Sequence, residues 1–175
     1  SYQLDARDRD ACLEAAISNL ENMTGERLGD PDRALVFAMR SATPHYIPGL
    51  MPTYLNVGVT RLSFRSLQMR YGHSAASKIY LNNLQSVCQI LGTLPDFYRL
   101  EKTPCLDSAE KTEEQIALLF RRIEAIDERM LYDARYQVNR FMNVSHGFYT
   151  RNQDLIYTFQ HGHATFPSLI LQKMV

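Results

Sequence analysis

Between Asp32 and Asp96 the sequence has no aspartate and no glutamate. Spread evenly, the 19 acids of the 175-residue chain would place about seven there. The gap still carries Arg33, Arg40, Arg61, Arg65, Arg70 and Lys78, so it is +6 within a chain of zero formal net charge. Residues 1–32 hold eight acids against Arg7, Arg9 and Arg27, a net of −5. Charge is segregated along the chain, and an acid-free basic block is where an anionic partner is expected.

Other absences narrow the field. The longest unbroken apolar run, Ala34–Met39, is far short of the ~20 residues a membrane-spanning helix needs. No signal-peptide pattern is present, and three widely spaced cysteines, Cys12, Cys88 and Cys105, fit reduced thiols in an intracellular compartment better than a disulfide framework. Eight glycines are scattered, with no Gly-rich phosphate turn, no G-x-S-x-G, no C-x-x-C and no H-E-x-x-H. His161-Gly162-His163 and His146 lack the further ligands a zinc site needs. Glu113, Glu114, Asp127 and Glu128 sit on a charge-dense helix and read as a solvated face. No enzymatic role, metal or cofactor is expected.

What is present reads as mainly helical: one domain over 1–175, a bundle of four to five helices with an irregular insert at about 43–72 able to hold β-structure. The spacing of Leu13, Ala16, Ile17, Leu20 and Met23 predicts a helix over 8–24 that stops at Gly25. Asp30-Pro31 predicts a second short helix running to about Ala42. Pro44, Pro48 and Pro52 break the chain, and the apolar residues among them suggest a loop that packs on something. Residues 53–71 fit strand and helix about equally. A helix over 74–91, capped by Ser74 and ended by Gly92, has an amide-rich, nearly uncharged face. The longest pattern, 109–143, follows a cap at Asp107-Ser108 and invites a break near 132–135. A short strand or turn is expected around Leu155, Tyr157 and Phe159, before the apolar Leu169-Ile170-Leu171.

The basic residues are 15 Arg against 4 Lys, and the planar guanidinium suits bidentate phosphate or carboxylate contacts and stacking on aromatics. Within 61–71, Arg61 and Arg65 point the same way on either a strand or a helix. Arg61, Arg65, Arg70 and Lys78 are therefore the expected phosphate contacts, with Tyr54 or Tyr71 stacking a base. The competing reading is that acids from 1–32 or 107–128 fold against the block and neutralise it. Tyr46, Leu50 and Met51 of the loop, and Asn82, Asn83, Gln85 and Gln89 of the amide face, are the expected interface. Arg122, Arg129 and Arg140 read as a solvated face, with Arg129 and Asp133 an i,i+4 pair.

Tyr132 to Arg140 has the spacing Tyr-x-x-x-Tyr-x-Val-x-Arg and is followed by Arg151-Asn152. This stretch is faintly similar to the small matrix-side subunit of mitochondrial ubiquinol–cytochrome c reductase, over roughly an eighth of the chain. The Leu-Pro and Trp positions of that family are missing. The resemblance implies an accessory-subunit reading and nothing more specific.

The functional expectation is a non-enzymatic protein that self-associates or joins other subunits as a homo- or hetero-oligomer. It would hold an anionic partner, most concretely single-stranded RNA, as a coat or nucleocapsid-like subunit does. The alternatives are an accessory subunit of a large complex, mitochondrial and respiratory in type, with its arginines on acidic protein or lipid headgroups, and a small helical enzyme whose site carries no recognised motif.

Overall fold

Helix α1 (Ala6–Thr24) opens the computed structural model, which describes residues 5–42, 52–93, 109–159 and 168–174. Asp5 caps it by accepting the Asp8 N–H at 2.8 Å. Gly25, at φ +70°, ends it by returning its N–H to the Glu21 carbonyl, a left-handed stop that costs glycine nothing. Leu13 and Ile17 are buried from its apolar stripe.

The helix predicted from Asp30-Pro31 does not form. Asp30 Oδ1 accepts the N–H groups of Asp32 (2.8 Å) and Arg33 (2.7 Å), closing a tight turn with the contacts a helix cap would have used. The six residues Ala34–Met39 that follow are all buried. A surface helix would turn some of that run to solvent, whereas a central strand covers both faces. The run therefore leads into β1 (Phe37–Ala42), flanked by β2 (Thr53–Val57) and β3 (Ser168–Lys173) in the antiparallel order β2-β1-β3. Against β2 the register slips between Phe37 and Met39, and Asn56 there takes φ +55°, so the ladder is locally irregular.

The ambiguous stretch 53–71 divides: its first residues are β2 and its last are α2 (Phe64–Tyr71). Next come α3 (His73–Ile90), α4 (Ala109–Asp127), α5 (Arg129–Tyr132), α6 (Ala134–Arg151) and α7 (Gln153–Phe159). The fold is mainly helical with a small three-stranded antiparallel sheet, although the sheet draws β1 and β3 from outside the expected insert. Residues 153–159 are helix, not strand; Ile156 alone of their apolar side chains is buried, with Leu155, Tyr157 and Phe159 exposed. α3 starts one residue earlier than expected, after Gly72 in place of Ser74. The core gathers Ile17, Leu35, Phe37, Met39, Leu84, Ile123, Val138 and Phe141 between the sheet and the helices. Among the described residues no helix is long and apolar enough to cross a membrane. Tyr46, Leu50, Met51, Asp107-Ser108, Cys105 and His161–His163 lie outside the described residues.

The long helical pattern is interrupted first at Glu128, outside the expected range, and then within it at Asp133, whose backbone is extended (φ −111°, ψ 98°). Its Oδ1 accepts the Tyr136 N–H at 2.9 Å, and its Oδ2 accepts from Arg129 at 3.0 Å. The Tyr136 N–H foremost, then Arg129, hold this carboxyl below the usual aspartate range. Its stabilising contribution is thus present above the unfolded value of about 3.9 and fades as pH falls through the lowered folded value. Asp133→Ala is expected to cost about 1 kcal/mol at neutral pH. The melting-temperature gap between wild type and variant should narrow as pH falls below the unfolded aspartate range and close once the lowered folded value is passed.

Candidate anion-binding site

The turn that presents Arg61 is fixed by two hydroxyls. Thr60 N–H donates to Ser63 Oγ at 2.8 Å and Ser63 N–H to Thr60 Oγ1 at 3.2 Å, both residues being fully buried. Arg61 N–H donates to the Leu131 carbonyl of α5 at 2.9 Å, tying the turn to the helix below. The exposed Arg61 guanidinium then lies over the Phe120 ring of α4, 5.2 Å from its centroid. One turn along, Ser66 Oγ donates to the Asp32 carbonyl and accepts the Ala34 N–H, each at 3.0 Å. This pins the buried side of α2 to the entry of β1 and leaves Arg65 on its exposed side.

Arg70 has a different fate. It reaches Glu26 at 2.8 Å, and Lys173 of β3 reaches the same carboxylate oxygen at 2.9 Å. An acid from residues 1–32 has folded onto the basic block at this point, as the competing reading held. One carboxylate between two cations leaves a net positive charge. Arg70 also lies 5.7 Å from the Tyr71 ring centroid, and Tyr71, Lys78, Ile79 and Met174 continue the wall as a groove of about 360 Å³. Glu26 is nearly buried, so removing its charge leaves two cations facing each other. Glu26→Gln is expected to lower stability by about 1–2 kcal/mol, read as a lower urea midpoint with an unchanged slope.

Of the six cations in the acid-free block, Arg70 alone meets a carboxylate within 4.0 Å among the described residues. Arg61, Arg65 and Lys78 are exposed without one. So is Arg40 on the solvent side of β1, whose hydrogen bond goes to the neutral Gln172 side chain at 3.4 Å. Arg40 pairs across the sheet with Thr53 and Ile170.

Two predicted side chains are withdrawn from binding. Tyr54 is only 4% exposed and packs its ring 4.6 Å from Phe141, because its alternate position on β2 points to the core; its ring offers no open face for a base to stack on. Asn83 is fully buried. Its Nδ2 donates to the Asn56 carbonyl at 2.8 Å and to Gln137 Oε1 at 3.0 Å, so this part of the amide face serves the interior. Asn82 and Gln89 remain exposed and Gln85 half-buried. The expected Arg129–Asp133 pair forms, with Arg129 also 4.1 Å from the Tyr136 ring centroid.

Sequence reading missed Glu26 as the acid that claims Arg70. No local signal marks a pairing across 44 residues. Among the described residues no group of three or more His, Cys, Asp or Glu is arranged to hold a metal ion.

No family model matches the chain. Over 95 residues, 54% of its length, it is 30% identical to "Pyruvate, phosphate dikinase 2" of Oryza sativa subsp. japonica. The match spans 11% of that enzyme.

Proposed function

We propose that the protein holds a phosphate-bearing anion on Arg61 and Arg65, two of the five cations of its acid-free segment that meet no carboxylate among the described residues. The observation that carries this reading is that only Arg70 of the six is neutralised by a carboxylate among the described residues. The turn and helix corner that carry Arg61 and Arg65 are pinned by buried hydrogen bonds, and the planar forks of these arginines suit phosphate oxygens. Single-stranded RNA is one anion of this kind. The loss of Tyr54 as a stacking residue and the partial identity to an enzyme named for pyruvate and phosphate favour a small phosphorylated molecule instead.

Calorimetric titration with pyrophosphate tests the reading. Arg61→Gln and Arg65→Gln should each weaken binding about tenfold, equivalent to about 1.4 kcal/mol. As surface changes they should leave stability within about 0.5 kcal/mol of wild type. Absence of binding at millimolar pyrophosphate, or affinity unmoved by both substitutions, would refute it. An oligoribonucleotide that binds more tightly than pyrophosphate, with a steeper salt dependence, would return the partner to a polymer.

A further inference from the structure

A second groove lies beside Arg61, between α2–α3 and α4, with a volume of about 460 Å³, within the ~300–1,000 Å³ typical of small-molecule sites. Arg61, Arg121, Phe64, Phe120, Tyr80 and Glu113 line it. Its aromatic walls are separately anchored. Phe64 stacks on Tyr80 with centroids 5.0 Å apart, and Phe120 meets Tyr132 edge-on at 6.3 Å. Phe64 and Phe120 make no ring contact with each other.

Two features of the groove are unusual for a purely structural cleft. Tyr80 is 4% exposed, and its hydroxyl is buried without a hydrogen-bond partner. A buried unpaired hydroxyl is destabilising, and native proteins seldom retain one without a use. The charge is also unbalanced. Arg61 and Arg121 meet no carboxylate within 4.0 Å among the described residues. The one acid present, Glu113, is already engaged: its Oε1 accepts from Ser77 Oγ at 2.7 Å and lies 3.2 Å from His73 Nε2.

From these features we infer that the groove takes the aromatic end of a phosphate-bearing ligand. A planar heteroaromatic ring would enter between Phe64 and Phe120, parting the side chains that cover the Tyr80 hydroxyl so that an acceptor on its edge takes that O–H, and its phosphate would lie on Arg61 and Arg121. The inference rests on the phosphate-binding reading above and adds the ligand class, an aromatic ring carrying a phosphate as in a nucleotide. Ring stacking is sequence-tolerant but sensitive to the presence of a π face, so an aromatic ligand and a non-aromatic phosphate should behave differently.

The experiment compares adenosine monophosphate with ribose 5-phosphate, which keeps the phosphate and lacks the ring. Wild-type protein should bind the nucleotide at least tenfold more tightly. Tyr80→Phe, which removes an unpaired hydroxyl and so should fold at least as stably, should weaken nucleotide binding about fivefold and leave ribose 5-phosphate unchanged. Phe120→Leu should abolish most of the preference. Equal affinities for the two ligands, or a preference that survives both substitutions, would overturn the groove assignment while phosphate binding itself stands. If neither ligand nor pyrophosphate binds, the groove assignment and the phosphate reading both fall.

Discussion

Replacing Gln137 with leucine is expected to destabilise the protein by about 3–5 kcal/mol, the largest effect of any single polar substitution proposed here. Gln137 is 1% exposed, and its amide joins four parts of the chain. Its Nε2 donates to the Met130 carbonyl at 2.8 Å and the Val59 carbonyl at 3.1 Å. Its Oε1 accepts the Gly58 N–H at 3.0 Å and the Asn83 Nδ2 at 3.0 Å. Leucine has nearly the same volume, so no large cavity opens. The cost comes from buried backbone groups left without partners, each about 1–3 kcal/mol, offset in part by the apolar side chain itself. The urea midpoint should fall steeply with little change in slope. A loss under about 1 kcal/mol would mean that the strand end and α5 find other partners, and that Gln137 is not the joint between them.

The second large effect is expected at Gly58. Its φ is +95°, a conformation that side-chain-bearing residues rarely adopt. A Cβ there would stand 2.6 Å from Leu28 Cδ1 and 3.0 Å from the Leu35 carbonyl oxygen. Leu28 can swing aside, but the Leu35 carbonyl is backbone entering the central strand and cannot. Gly58→Ala should therefore cost about 2–4 kcal/mol, combining backbone strain with overpacking. Calorimetry would register this as a melting temperature lower by several degrees. Because Gly58 donates to Gln137, the two variants share a partner, and their double variant should lose less than the sum of the singles. A fully additive double variant would contradict the network.

The elements read correctly from the sequence are those whose signals are local. α1 carries its own apolar stripe and glycine stop, α3 its stripe, and Asp133 sits at the break because a short acid before an apolar period is a helix cap wherever it occurs. β1 was misread because Asp30-Pro31 closes a turn as readily as it opens a helix. Only the burial of Ala34–Met39 on both sides, a property of the finished fold, decides between them. The candidate site divides in the same way. That Arg61 and Arg65 stand in an acid-free stretch is visible in the sequence, whereas which cation the acids of α1's loop would claim is not. Glu26 takes Arg70 from 44 residues away, and Asn83 is drawn inward by Gln137 from 54 residues away. Pairings at that range depend on how helices and sheet pack, which local composition does not encode.

The most direct measurement of the phosphate-binding reading is an NMR titration of the arginine side chains, following their Nε–Hε resonances as pyrophosphate is added. Arg61 and Arg65 should shift together along one binding curve. Arg27, Arg70, Arg129 and Arg135, each already on a carboxylate, should stay in place. Small uniform shifts across all the arginines, or shifts confined to the paired set, would contradict it.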